Sequence, residues 1–251
     1  MSERVLIALE GGVLSGTLNR PDKKNAIDSP MIDGLHALLE RAELDAEVRV
    51  VAVRGAGNDF CAGMDLQELL ASADRTVEQN RDAALHFGGV FVRMRALPKP
   101  VVAVVQGRAL AGGCGLATAC DLVLAAESAQ FGYPEVQRGF VPALVMNMLR
   151  RAVGEKVGFD LATGRLLAAR EAEGVGLVSR VFPNDAFDGR VAEMLRALCA
   201  ISASSLALTK QQFYRLDGIS FEDGIRLSAD VNAVSRTTPD FRSAIAGFLK
   251  Q

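Results

Sequence analysis

Hydrophobic residues change their spacing along this chain, and the changes outline its elements. Two short runs rich in branched residues flank Glu10-Gly11-Gly12, predicting strands over Arg4–Leu9 and Val13–Leu18 around a turn. Ser29-Pro30 then marks a helix start, with Ser29 as N-cap and Pro30 at the first helical position. Ile32, Leu35, Leu39 and Ala42 follow at helical spacing. Val48–Arg54 is dense in valine, the composition of a strand covered on both faces. The pattern further predicts helices over Leu66–Ser72 and Val77–Arg95, a strand over Val101–Val105, a helix near Gly113–Ala119 and a strand over Leu122–Ala125. Strands alternating with helices imply an α/β domain. Beyond Val141 the spacing is mainly helical, broken by a short strand at Val178–Phe182. Helices are expected at about 186–201, 204–215, 221–235 and 241–249. This pattern divides the chain into a core over residues 1–195 and a C-terminal helical region over 196–251 suited to self-association.

Composition narrows the class. The chain has 251 residues, 49% hydrophobic and 23% charged, the make-up of a globular protein with one large core. A net charge of -2, with no basic run, argues against nucleic acid as a partner. Val101–Ala126 is apolar enough to suggest a membrane span. Arg108, Asp121 and the intervening glycines interrupt it, so it is expected to be strand, turn and buried helix with no membrane partner. The cysteines (Cys61, Cys114, Cys120, Cys199) form no CxxC pair and the histidines are only His36 and His86, so no metal site is expected. The start, Met1-Ser2-Glu3-Arg4, does not read as a signal peptide, and a reduced, cytoplasmic setting is expected.

The candidate chemistry begins at Gln106-Gly107-Arg108-Ala109-Leu110-Ala111-Gly112-Gly113-Cys114-Gly115, where a strand ends in glycines and runs into a helix. Amides at a helix N-terminus have no partner within the helix and sit at the positive end of its dipole. Such a turn suits a phosphate or a developing oxyanion equally well. Two further segments, Asp59–Leu66 and Phe131–Glu135, also follow strands, and loops at the same ends of parallel strands converge on one crevice.

Taken together these segments resemble the enoyl-CoA hydratase/isomerase, or crotonase, family. Leu18-Asn19-Arg20-Pro21 through Asn25-Ala26, Phe60-Cys61-Ala62-Gly63-Met64-Asp65-Leu66, Gly107 through Asp121, and Phe131-Gly132-Tyr133-Pro134-Glu135 carry the resemblance in order and spacing over nearly the whole chain. It implies a crotonase-like (ClpP/crotonase) α/β fold, a spiral of β-β-α turns with a C-terminal helical region, assembled as a homotrimer or hexamer. It implies an acyl-CoA thioester as substrate, with CoA arriving on the substrate and no metal or redox cofactor.

By the same resemblance, the Met64 and Gly112 amides hold the thioester oxygen and Glu135 moves a proton. Family hydratases carry a second glutamate at the position of Gly115, where this chain has no side chain. A single carboxylate suits double-bond isomerisation (an isomerase), while hydration (a lyase) fits the family at large. A weakly catalytic acyl-CoA-binding protein is the third reading. Apolar neighbours are expected to raise the pKa of Glu135. The candidate substrate contacts are Ala62, Asp65, Lys23, Lys24, Gly115, Tyr133 and Phe248, with Lys250 beside the last. For Asp65, capping the helix from Leu66 is the plainer role. Cys114, Cys120 and Asp121 are expected to be structural.

Overall fold

The computed structural model describes residues 3–249. Strands β1 (Val5–Glu10) and β2 (Val13–Leu18) pair antiparallel through Gly11 and Gly12, at φ 55° and 83°. A two-residue hairpin favours such positive angles because they match the twist of its strands. Strands β3 (Val50–Gly55) and β4 (Val101–Val105) extend this sheet in parallel. Next in the chain is the three-residue strand β5 (Arg108–Leu110), which belongs to a second sheet. With β6 (Leu122–Ala126), β7 (Gln130–Gly132), β8 (Leu166–Ala168) and β9 (Arg180–Phe182), the orders are β1-β2-β3-β4-β6-β9 and β5-β7-β8.

The helices are α1 (Ser29–Leu44), α2 (Leu66–Ala71), α3 (Val77–Ala96), α4 (Gly112–Ala119), α5 (Ala143–Ala152), α6 (Glu155–Ala162) and α7 (Ala169–Gly174). After them come α8 (Phe187–Ala200), α9 (Ala203–Arg215), α10 (Phe221–Ser235) and α11 (Pro239–Phe248). The larger sheet is covered on both faces, as its valines require. Val51, Val53, Val101, Ala103 and Val105 join the main core with Leu35, Phe91 and Leu116. Their alternates Val50, Ala52, Val102 and Val104 pack on Phe187, Val191 and Leu195 of α8. Each large side chain buried in this way contributes roughly 1.5–3 kcal/mol. A strand of the large sheet, a short strand of the small sheet and a helix recur as β4-β5-α4 and, through the 3-10 turn Pro134–Arg138, as β6-β7-α5.

Several local features differ from the sequence expectation. Asp28, not Ser29, caps α1, its Oδ1 accepting from the Met31 amide at 3.0 Å. The Ser29 hydroxyl donates instead to Glu68 at 3.0 Å. Phe131-Gly132, expected in a loop, forms part of β7, and β8 was not anticipated. Three residues are too few to show strand periodicity, so these strands exist only through their partners. Helix α8 continues unbroken from Phe187 to Ala200 before the chain turns by 99° into α9. No single helix among the described residues is long and apolar enough to cross a membrane.

The helical region is bolted to the core. Lys210 of α9 is buried, and its ammonium donates to Asp121 Oδ2 at 2.7 Å and to the carbonyls of Met94 and Lys99 at 2.7 and 2.9 Å. Tyr214 donates to the other oxygen of Asp121 at 2.7 Å. Asp121 thus has the structural role expected of it.

Candidate active site

The segment after β3 is held on two sides. On one side it zips along β5: the Phe60 amide donates to Gln106 O at 2.9 Å, Cys61 to Arg108 O at 3.0 Å, and Leu110 returns a bond to Cys61 O at 2.9 Å. Asp59 grips the Arg108 guanidinium with both oxygens, at 2.7 and 2.9 Å, and this pairing holds its carboxyl below the usual range. On the other side the Ala62 amide donates to Lys24 O at 3.0 Å, Ile27 to Gly63 O at 2.8 Å and Asp65 to Ile27 O at 2.8 Å. Lys24 and Asn25 take left-handed angles (φ 53° and 54°) to make this possible. The buried Asn25 side chain fixes the bend by donating to Ala56 O and Asp59 O at 2.9 and 2.8 Å. The ladder skips Met64: among the described residues its amide has no protein acceptor.

The glycine turn supplies a second free amide. Ala111 sits at φ 51°, ψ -127°, a conformation that costs a side-chain-bearing residue of order 1–3 kcal/mol. Its amide donates to Gly132 O at 2.8 Å, which ties the turn to β7. The next amide, of Gly112, opens α4 and likewise has no acceptor among the described residues. The two free amides lie side by side. A carbon placed on Gly112 would be 3.8 Å from the Met64 nitrogen, and one placed on Gly63 would be 3.3 Å from the Gly112 nitrogen. That second carbon would also press on Ala111 Cβ at 2.7 Å, so position 63 has no room for a side chain. The ring of Phe87, from α3, closes the space near Gly112.

Glu135 follows β7, the strand paired with β5, so its turn and the Gly112 turn leave neighbouring parallel strands at the same end. The residue is 8% exposed, and its Oε2 is buried without a hydrogen-bond partner among the described residues. Burial raises its pKa, opposed by its own backbone amide and by Arg138. Its charge is close enough to raise the Cys114 thiol on α4. Burial is the main cause there, pushing the Cys61 and Cys114 thiols up to about 12, so neither is a ready nucleophile. Two free amides and a bare carboxylate can together stabilise an anionic oxygen and accept a proton.

Gly115, one turn into α4, is fully enclosed. A carbon there would overlap Cγ1 of Val145 and lie 2.9 Å from its Cβ. Ala62 sits in the loop beside Met64, half-buried, and Lys23 and Lys24 are exposed on the segment that pairs with that loop. The Asp65 carboxylate caps α2 through the Gln67 amide at 2.8 Å and pairs with Arg20 at 2.8 Å. Tyr133 is fully buried, with its hydroxyl on Thr118. Phe248 is 75% exposed on α11, and none of the loops just described includes it; Lys250 lies outside the described residues. Asp59, Phe87, Arg108, Thr118 and Val145 shape the site without having been singled out for it in the sequence. Asp59, Arg108 and Thr118 lie inside the recognised segments, while Phe87 and Val145 carried no sequence signal.

Comparison with known proteins places the whole chain. The family described as Enoyl-CoA hydratase/isomerase matches residues 8–249. A putative enoyl-CoA hydratase of Thermus thermophilus is 42% identical over 247 residues, covering 96% of each chain. The 2,3-dehydroadipyl-CoA hydratase of Escherichia coli is 31% identical over 100% of this chain and 97% of its own. The crystal structure of an enoyl-CoA hydratase from Mycobacterium smegmatis superposes with a TM-score of 0.95 at 30% identity, covering 99% of this chain and 97% of that one. The spiral of paired strands and helices is the crotonase fold, and this chain belongs to the enoyl-CoA hydratase/isomerase family.

Proposed function

We propose that the protein binds an enoyl-CoA and moves its double bond, with Glu135 as the only carboxylate acting on the substrate. The thioester oxygen accepts hydrogen bonds from the Met64 and Gly112 amides. Glu135 removes a proton from the α-carbon of a 3-enoyl-CoA. The electron pair spreads over a dienolate whose negative oxygen rests between the two amides. The same proton, now on Glu135, returns at the γ-carbon and leaves the 2-enoyl-CoA. Each amide contributes about 3–4 kcal/mol to lowering such a barrier by precedent at similar sites. The reaction balances on the chain's own groups and draws on no metal or redox cofactor.

The observation that carries this reading is the buried oxygen of Glu135, without a hydrogen-bond partner among the described residues, on a carboxylate whose pKa burial raises. Gly115 and Val145 favour isomerisation over hydration, since the wall there holds methyl groups and no acid. Hydration of a 2-enoyl-CoA is the second reading, and the names of the relatives support it. Assays of wild type and Glu135→Gln with both substrates test the proposal. Isomerisation should dominate in the wild type and fall roughly 10²–10⁴-fold in the variant. Full activity in Glu135→Gln would refute the single-base mechanism, and acyl-CoA binding without turnover would make the protein a binder.

We also propose a homotrimer or hexamer. Phe213, Phe221 and Phe248 on α9, α10 and α11 are 70%, 87% and 75% exposed, an apolar surface that suits a second copy of the chain. The unpaired cysteines suit a reducing cytoplasm.

A further inference from the structure

Tyr133 is among the largest fully buried side chains of the protein, yet it carries a polar group into the core two residues before Glu135. Its hydroxyl lies 2.7 Å from Thr118 Oγ1, and Thr118 donates to the Cys114 carbonyl at 2.8 Å. A threonine hydroxyl has a single proton, so in this chain of bonds Tyr133 is the donor to Thr118. Both Thr118 and Cys114 belong to α4, the helix that begins at the Gly112 amide.

We propose that Tyr133 is a positioning residue: its bond to Thr118 locks the Glu135 turn to α4 and so sets the carboxylate relative to the Gly112 amide. The proposal rests on the assignment of Glu135 as the base. Two ties join these elements. The Ala111 amide on Gly132 O holds the start of α4, and Tyr133 on Thr118 holds its far end. Thr118 lies seven positions after Ala111, about 10 Å along a helix rising 1.5 Å per residue. Core packing holds the body of α4, through Cys114, Leu116, Ala117 and Ala119, and the two ties fix its ends against the Glu135 turn in particular. The arrangement also commits the phenol proton to Thr118. A phenol donating to Glu135 instead would stabilise the charged carboxylate and weaken it as a base, whereas here Oε2 stays bare. Tyr133 therefore serves the site from behind and makes no contact with substrate.

The test uses Tyr133→Phe, Thr118→Val, Thr118→Ser and the double variant Tyr133→Phe/Thr118→Val in the full-length protein. Isotope-edited NMR titration of the Glu135 carboxyl provides a readout independent of turnover. In Tyr133→Phe the loosened turn admits water, and the Glu135 titration should move down toward the ordinary glutamate value. The acid limb of the kcat profile should move with it, and kcat should fall roughly 10–100-fold with KM nearly constant, as for a misplaced group. Thr118→Ser keeps a hydroxyl and should restore both readouts, and the double variant should be no worse than Tyr133→Phe alone. An unmoved Glu135 titration in Tyr133→Phe, or losses that multiply in the double variant, would overturn the positioning role. Full activity in Glu135→Gln would instead overturn the base assignment, so the two failures are separable.

Discussion

Val145 occupies the space that any side chain on Gly115 would need. A carbon attached to Gly115 overlaps Cγ1 of Val145 and comes within 2.9 Å of its Cβ. Position 115 therefore has no room for a side chain, because helix α5 holds a methyl group of Val145 where one would lie. Restoring the acid alone should fail. Gly115→Glu forces overpacking worth about 1–3 kcal/mol, with the desolvation of a charge added to it. Its Tm should drop and its hydration of 2-enoyl-CoA should not rise. Gly115→Glu/Val145→Gly clears the space and should gain hydration relative to isomerisation. A hydratase gain in the single variant, or none in a folded double variant, would refute this account of the wall.

The buried carboxylate links activity to pH and to stability. Burial raises the folded-state pKa of Glu135 above its ordinary 4.5, and a base works only when ionised. The acid limb of kcat/KM should therefore lie above the range of an exposed glutamate. The folded chain also holds this proton to higher pH than the unfolded chain does. The stability owed to this group is complete below 4.5 and is lost as pH rises through the folded value. Glu135→Gln should then unfold at higher denaturant than wild type near neutrality, with the two converging in acid. A variant less stable than wild type at pH 7 would contradict the assigned burial.

Lys210 makes a different kind of prediction. Its ammonium is enclosed by Asp121 and two carbonyls, so Lys210→Met strips a buried partner from Asp121. The expected loss is about 3–5 kcal/mol in urea unfolding. Helices α9 to α11 should loosen first, exposing the link at residues 201–202 to limited proteolysis. Uniform protection of that link in the variant would show that other contacts hold the helical region.

Self-association is directly measurable. Sedimentation velocity should show a trimer or hexamer for the wild type. Phe221→Asp puts a charge on the 87%-exposed ring and should shift the distribution toward monomer. A wild type that sediments as a monomer would leave these phenylalanines in need of another explanation.

Much of this architecture was legible in the residues. The valines of β3 announced a strand covered on both faces, and both cores confirm it. The strings around Met64, Gly112 and Glu135 announced the family, because backbone turns leave glycine and proline signatures. What stayed hidden acts through space. Val145 lies 30 positions from Gly115, and nothing in its local sequence says which wall it forms. The hydroxyl of Tyr133 finds Thr118 fifteen residues away, and β8 exists only because β7 is there to pair with it. Asp28 displaced Ser29 as the cap because Glu68, 39 residues on, offered the serine another partner.

Because the Met64 and Gly112 donors are backbone atoms, they are invisible to an alanine scan. Alanine at position 64 keeps the N–H, and a carbon on Gly112 meets its nearest neighbours at 3.5 and 3.7 Å, ordinary contact distances. A scan across the chain would report Glu135 and miss half of the proposed machinery. Proline, which deletes the donor itself, is the substitution that would reveal it. By the same logic, the pair is open to attack only through the backbone that shapes it, at positions such as Gly63 where a side chain has no room.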